Sequence, residues 1–494
     1  MSSISKLSAP VGVVDIGSNS IRLVIYDGVK RAPSPIFNEK LLCGLARNME
    51  VTGTLDPQGA QRALKCLGRF ISLAELIGVR SLTLFATSAV RDAADGAEFV
   101  NQVQERYGQK VEVLSGEVEA HYAGLGICSS IINANGVIAD LGGGSLELIG
   151  VNQGMLASGQ GTSLPIGPLR LAGDKRKQST FQKLVTNSLN HFDLPAFAKK
   201  ASIYCVGGAF RSLAKIHMSR RHYPLKVIHN YSVDAQEFYT TLQLVASMSS
   251  GSLEDVPDVS KKRAKFLPFA SIIGMEMIDR GQPKNIVFST SGVREGLMFS
   301  ILKDKERSKD PLIAGSIDMA RNLPNGYTYG QELFAWIRPI IDRLRLNNDR
   351  LIMAACILSD IACFEHTEYR PQISFQRIMD SSLLGISHQE RAFIAHILYC
   401  RYKPNADESL LDEPTLFLLS KAIRDKARTL GLAIRLGRSL SASFPHILPA
   451  CQLSVTSSRL TLSCDKTLTN LMGEKVDKRL GQLADALHLQ ANVH

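Results

Sequence analysis

Residues 15–24 read D-I-G-S-N-S-I-R-L-V, and residues 140–149 read D-L-G-G-G-S-L-E-L-I. Asp15/Asp140, Gly17/Gly142, Ser20/Ser145 and Leu23/Leu148 coincide, and three further positions keep their apolar character. Each segment follows an apolar run, Val11–Val14 or Val137–Ala139, and leads into another. An apolar run, a tight Gly/Ser/Asn stretch and a second apolar run are the marks of a β-hairpin. Two such hairpins 125 residues apart suggest a duplicated domain, against the plainer alternative of two unrelated Gly-rich turns.

Between the hairpins, Ala63, Leu64, Leu67, Phe70, Ile71 and Ala74 recur at spacings of three and four, which predicts a helix over 58–78. Strands are predicted at 81–86, 111–114, 202–206 and 285–288, with helices following T-S-A-V-R-D and starting near Glu117 with Ser115 or its neighbour as cap. Strands alternating with helices indicate α/β architecture. At K-D-K-E-R-S-K-D-P, residues 303–311, charge and proline predict an exposed linker. From 313 to 435 the pattern is helical, with Trp336 on an apolar stripe that packs a core. Two short alternating runs, 452–456 and 459–463, and an amphipathic helix over 473–487 predict a small α+β module.

The whole chain has the composition of a soluble protein: 494 residues, 45% hydrophobic and 21% charged. A disordered or collagenous chain is excluded on those figures. Lys and Arg number 57 against 46 Asp and Glu, a formal charge of +11, which favours a polyanionic partner. Residues 120–139 lack charged side chains, but their glycines and asparagines suit a buried turn better than a membrane span. Nine cysteines with no C-x-x-C pair predict reduced thiols in a cytoplasmic protein, and the first ten residues lack the apolar core of a secretory signal.

Facing Gly/Ser turns offer a definite chemistry. Glycines allow close approach of backbone N–H groups, which together with Ser and Asn side chains form a concave nest for phosphate oxygens. Asp15 and Asp140 each end a strand at the mouth of a turn, where a carboxylate can hold Mg²⁺ directly or through water. The alternative is a pair of Asx-turns in which each Asp caps its own loop. Two related turns with the same Asp-x-Gly opening favour phosphate.

In order along the chain, D-I-G-S-N-S-I-R, T-S-A-V-R, S-G-E-V-E-A, D-L-G-G-G-S-L-E and G-V-R-E-G resemble the exopolyphosphatase and guanosine pentaphosphate phosphohydrolase family. The resemblance spans about residues 11 to 300, and five ordered motifs are far more specific than one Gly-rich string. It implies the actin-like fold, two duplicated ribonuclease H-like domains at 1–128 and 129–305 with the active site in the cleft between them. It also implies Mg²⁺-dependent hydrolysis of terminal phosphate from inorganic polyphosphate, from guanosine pentaphosphate, or from both, with tetraphosphate as a further ligand, and a homodimer.

By the same resemblance, Gly17, Ser18, Asn19 and Ser20 match the first phosphate loop, and Gly142, Gly143, Gly144 and Ser145 the second. Asp140, Glu147 and Asp15 match the acidic positions near the metal. Glu119 matches the catalytic glutamate, the general base that deprotonates the attacking water. Glu117 is its rival, and the plain alternative for either is a carboxylate favoured by the helix dipole. Arg22, Arg91 and Arg294 supply guanidiniums for phosphate oxygens that gain charge during transfer, although a single Arg is more often a surface residue. Ala209 stands where the family often has Thr, so a nucleotide contact at V-G-G-A, residues 206–209, carries little weight.

The region 312–435 also resembles the metal-dependent phosphohydrolases named for a His-Asp doublet, with 436–494 as the appended module. Ser359 stands in place of the doublet's histidine, so His366, His388 and His396 are read as core or surface residues. Basic clusters at Lys175–Lys177, Arg220–Arg221 and Lys261–Lys265 are candidates for a polyanion path, with solvated loops as the default. An actin-like kinase or ATPase and a non-catalytic alarmone-binding protein are the competing functions. No helix-turn-helix, zinc finger or stacking-aromatic pattern supports a specific nucleic-acid partner, and no membrane partner is expected.

Overall fold

A computed structural model of the protein describes residues 9–157, 161–171, 178–256, 259, 261–323, 326–404 and 413–493. It forms two compact units, residues 1–308 and 309–494. Lys175–Lys177 lie outside the described residues.

The first unit holds two sheets. One contains β1 (Val11–Ile16), β2 (Ser20–Tyr26), β3 (Pro35–Leu42), β4 (Ser81–Ala86) and β5 (Val111–Val113), in the order β3-β2-β1-β4-β5. The other contains β6 (Gly136–Leu141), β7 (Leu146–Asn152), β8 (Met155–Leu156), β9 (Thr162–Leu164), β10 (Ser202–Val206), β11 (Tyr231–Asp234) and β12 (Asn285–Phe288). Its order is β11-β12-β10-β6-β7-β8, with β9 also on β7. Both predicted hairpins form, and they share one register. Asp15 pairs with Arg22 and Ile16 with Ile21 across β1 and β2. Asp140 pairs with Glu147 and Leu141 with Leu146 across β6 and β7. Each hairpin's first strand also takes a parallel neighbour on its other side, β4 beside β1 and β10 beside β6.

Continuous apolar runs explain the central strands. Val11, Val13, Val14 and Ile16 are all buried, as a strand covered on both faces requires. The helix Pro57–Ile77 starts where the Asp56 carboxylate accepts from the Gly59 N–H at 2.6 Å, with proline in its first turn, and stops at Gly78, whose φ of 75° suits only glycine well. Its buried face is the predicted stripe, from Ala63 through Ala74, laid into the core of the first sheet. A second core lies around β6, β7, β10 and β12.

Two glycines hold the site-bearing helices together. The helix Gly116–Ser130 packs against the helix Val293–Ser300 so tightly that a Cβ on Gly126 would lie 2.3 Å from the Gly292 oxygen, and one on Gly296 would lie 1.8 Å from the Tyr122 oxygen. Only hydrogen fits in either place.

The described residues of the second unit between 311 and 441 are mostly helical, and the unit closes with β13 (Cys451–Val455), β14 (Arg459–Cys464) and β15 (Gln490–Val493) around the helix Glu474–Leu487. Trp336 is buried, and its indole N–H donates to the Cys451 oxygen at 2.9 Å. The expectation that all nine cysteines are reduced fails at one pair. Cys451 and Cys464 are direct cross-strand partners in β13 and β14 and form a disulfide. The register brings together residues 13 apart in sequence, which the absence of a C-x-x-C motif could not reveal. The other seven are free thiols, five of them buried. Among the described residues no helix is long and apolar enough to cross a membrane.

Candidate active site

Each Gly/Ser turn is closed by the same bond: the Gly17 N–H donates to the Ser20 oxygen at 3.1 Å, and the Gly142 N–H to the Ser145 oxygen at 3.0 Å. The turns meet face to face. A Cβ on Gly143 would lie 3.3 Å from the Ser18 side chain, and one on Gly144 would lie 2.7 Å from the Ser88 hydroxyl. Ser18 and Ser88 hydroxyls are themselves 3.1 Å apart. A side chain at Gly143 would first meet Leu169, at 2.4 Å, and one at Gly144 would first meet Ser88.

Between them lies a cavity of about 240 Å³, lined by both turns together with Asp15, Arg22, Glu119, Asp140 and Arg294. Glu119 belongs to the first turn of the helix Gly116–Ser130, whose Ser115 cap accepts from the Val118 N–H at 3.3 Å. Glu119 is 7% exposed, while Glu117 is exposed and outside the cavity lining. Burial, then the charge of Glu147, pushes the Glu119 carboxyl well above its usual range, and Arg91 pulls it back. Arg91 stands behind the cleft: its Nη1 donates to Glu119 at 3.0 Å and to the Leu114 oxygen at 3.1 Å. Gly144 and Glu147 also lie behind the lining, with the Ser163 hydroxyl donating to Glu147 at 2.8 Å.

Carboxylates crowd the cleft. Desolvation, and then the nearby Asp15 despite Arg211, holds the Asp140 carboxyl up at about 6. Desolvation and Asp140 hold Glu147 up at about 7. Desolvation also raises Asp15 against the pull of Arg294, whose Nε is 4.0 Å away. A divalent cation would relieve this mutual repulsion, and carboxylate oxygens are the donors that Mg²⁺ selects. Among the described residues no three such side chains close into a ready-made metal cage.

Cations line the rest of the cleft. The Arg22 Nε donates to Asn38 at 2.8 Å, leaving the rest of its fork toward the cavity. Arg294 Nη1 is buried without a partner among the described residues, a donor left for an oxyanion. Glu295, beside it, is occupied: it accepts from the Gly292 N–H and the Tyr26 hydroxyl, both at 2.9 Å.

Sequence reasoning missed Lys40 and Arg211, which line the same cavity, and named Arg263 only within the basic cluster Lys261–Lys265. Partial burial, then Arg263, Arg211 and Arg22, holds the Lys40 ammonium down at about 8. Desolvation and its neighbouring guanidiniums hold Arg211 down at about 10. Lys40 was findable only from register, because it pairs with Arg22 across β2 and β3. Arg263 sits inside the basic cluster at 261–265, and Arg211 follows V-G-G-A. The third basic cluster is committed elsewhere: Arg220 donates to Thr241 at 2.9 Å and Arg221 to Glu237 at 2.9 Å.

Comparison with known proteins gives the same picture from outside. Residues 24–305 match the Ppx/GppA phosphatase family, and residues 330–492 match "Exopolyphosphatase, C-terminal". Retrograde regulation protein 2 of Saccharomyces cerevisiae is 28% identical over 434 residues, covering 81% of this chain and 73% of that protein. Exopolyphosphatase 1 of Mycobacterium bovis is 31% identical over 170 residues, 33% of this chain and 47% of that one, so the match spans about half its length. The crystal structure of the Aquifex aeolicus member of the Ppx/GppA family superposes with a TM-score of 0.51 at 25% identity, covering 59% of this chain and 97% of that one.

Proposed function

We propose that this chain, which belongs to the Ppx/GppA phosphatase family, is an exopolyphosphatase that hydrolyses the terminal anhydride of inorganic polyphosphate, with guanosine pentaphosphate as a second substrate. One observation carries the reading: two Gly/Ser turns of identical register face each other across a cavity that a buried glutamate also lines.

The terminal phosphate would lie between the turns, held by turn N–H groups other than those of Gly17 and Gly142, which close the turns, and by the hydroxyls of Ser18 and Ser145. Arg22 and Arg294 would grip its oxygens, and Lys40, Arg211 and Arg263 the phosphates behind it. Glu119 accepts a proton from water as the water oxygen bonds to the terminal phosphorus. The bridging P–O bond breaks, and its electron pair leaves with the shortened chain. Arg91 positions the Glu119 carboxylate by their 3.0 Å contact and does not touch substrate in this scheme. Asp140, Asp15 or Glu147 would hold Mg²⁺ together with phosphate oxygens, and the bound ion would neutralise charge that builds on the phosphates.

The matching hairpins and their parallel neighbours support reading residues 1–128 and 129–305 as duplicated ribonuclease H-like, actin-like domains. Residues 312–435 fit as a helical relative of the His-Asp phosphohydrolases and 436–494 as an α+β module. A homodimer in the cytoplasm completes the proposal. A non-catalytic regulator is the second reading, favoured by the likeness to a yeast protein named for regulation. Phosphate release decides between them. Orthophosphate should appear from long-chain polyphosphate and guanosine pentaphosphate assayed side by side, and should stop when Mg²⁺ is withdrawn; tight binding without release would leave only the regulator.

A further inference from the structure

The sequence V-R-E-G sets Arg294 and Glu295 side by side in the first turn of the helix Val293–Ser300. A glutamate there suits the helix dipole, and one oxygen on the Gly292 N–H is enough to cap the turn. Glu295 does more. Its other oxygen, Oε1, accepts at 2.9 Å from the hydroxyl of Tyr26, 269 residues away on β2. Tyr26 is 3% exposed, with its ring in the apolar cluster that holds Val11, Val24, Leu297 and Met298. Packing of that ring would be served as well by phenylalanine; the hydroxyl serves the carboxylate.

With both of its oxygens engaged, Glu295 leaves Arg294 alone. A carboxylate beside an arginine in a poorly solvated place ordinarily closes a two-pronged ion pair with it. Here the only carboxylate within ion-pair range of Arg294, among the described residues, is Asp15 at 4.0 Å, and Arg294 Nη1 has no partner among them. The charge of Glu295 is nevertheless felt. Burial works against a charged Arg294, yet Glu295, ahead of Asp15, holds its pKa above the ordinary value. Burial and Arg294 push Arg22 down, and Glu295 is the foremost charge opposing them. Burial works against a charged Glu295 as well, but Arg294, the Gly292 N–H and the Tyr26 hydroxyl hold its carboxyl below the usual range, so it stays ionised at neutral pH. Both guanidiniums thus gain a counter-charge without losing their donors to it.

We infer that Tyr26 and Glu295 are positioning residues for the cleft: Tyr26 keeps the Glu295 carboxylate off Arg294, so that Glu295 offsets the charge of Arg294 and Arg22 while their N–H groups stay open to phosphate oxygens. Two consequences of opposite sign follow. Without the Tyr26 hydroxyl, Oε1 loses its donor and turns to the neighbouring guanidinium, so phosphate must compete for Arg294. Without the Glu295 charge, nothing beside the two guanidiniums repels an anion, so phosphate is held more tightly. The inference rests on the reading that Arg22 and Arg294 grip phosphate in the cleft.

Equilibrium dialysis of the full chain against imidodiphosphate, whose bridge resists hydrolysis, tests it with Mg²⁺ held constant. Tyr26→Phe, which keeps the ring, should raise Kd about threefold or more. Glu295→Gln, whose amide can still bond the Gly292 N–H and the Tyr26 oxygen, should lower Kd about tenfold or more. Lost packing alone would weaken binding in both. Because Tyr26 acts through Arg294, adding Tyr26→Phe to Arg294→Gln should leave Kd within about twofold of Arg294→Gln alone, and this cycle decides the matter if Glu295→Gln does not fold. Weaker binding in both single variants, no change in either, or a Tyr26→Phe effect undiminished beside Arg294→Gln overturns the inference while the cleft reading stands. No binding by the parent, or parent-like binding by Arg294→Gln, overturns that reading and the inference with it.

Discussion

Glu119 stands between opposing influences, and they set how the activity should depend on pH. Burial and Glu147 favour its protonated form, whereas Arg91 at 3.0 Å favours the carboxylate that can accept a proton from water. A base with a raised pKa is active only above that value, so kcat/KM for polyphosphate should rise with pH along an acid limb belonging to this group. Removing the Arg91 charge removes one of the influences that lower it. In Arg91→Gln the limb should therefore move to higher pH, a shift read from kcat/KM profiles of parent and variant; a limb that stays put or moves to lower pH would deny the coupling. Glu119→Gln, which keeps the size and loses the base, should lower kcat by about 10² or more, with polyphosphate binding retained in equilibrium dialysis. Turnover equal to the parent's would remove Glu119 from the chemistry.

At the scale of elements, the close crossing of the helices Gly116–Ser130 and Val293–Ser300 fixes where Glu119 and Arg294 stand. Gly296→Ala would place a methyl group 1.8 Å from the Tyr122 oxygen, so the helices must separate. Overpacking of this kind costs about 1–3 kcal/mol, visible as a lower urea midpoint, and activity should fall with it because the base moves. Gly481 in the helix Glu474–Leu487 is the contrast: a Cβ there meets nothing within 4 Å, and Gly481→Ala should stabilise by about 0.4–1 kcal/mol. A similar stabilisation in both would show that helix propensity, not the crossing, is being measured. The same elements show what could be read in advance. The hairpins, the helix at 57–77 and the short central strands were legible because their apolar runs, caps and glycines agree with one another. The strand β3 was not, because Pro35, Asn38, Glu39 and Lys40 are poor strand formers and only the pairing with β2 holds them extended. Lys40 was lost with it. The Cys451–Cys464 pairing likewise depends on register, and register between separate runs leaves no mark in composition.

Across the whole molecule, charge is the property that composition does determine. The chain carries 57 basic against 46 acidic side chains, but the cleft itself mixes Arg22, Lys40, Arg211, Arg263 and Arg294 with Asp15, Glu119 and Asp140. Its near balance means that a terminal phosphate is held by short contacts, which salt screens weakly. These cleft groups hold +2 of the chain's +11, and the remaining +9 lies outside the cleft lining, where it can act only on an anion long enough to extend beyond it. Ionic strength should therefore separate chain lengths. The Debye length shrinks from about 10 Å at 0.1 M to about 3 Å at 1 M, so KM for long-chain polyphosphate should climb steeply across that range while kcat holds. Tripolyphosphate, confined to the cleft, should show a much shallower rise. Initial rates of orthophosphate release at fixed Mg²⁺ and increasing salt measure both slopes, and equal slopes would mean that the dispersed charge contributes nothing to capturing the chain.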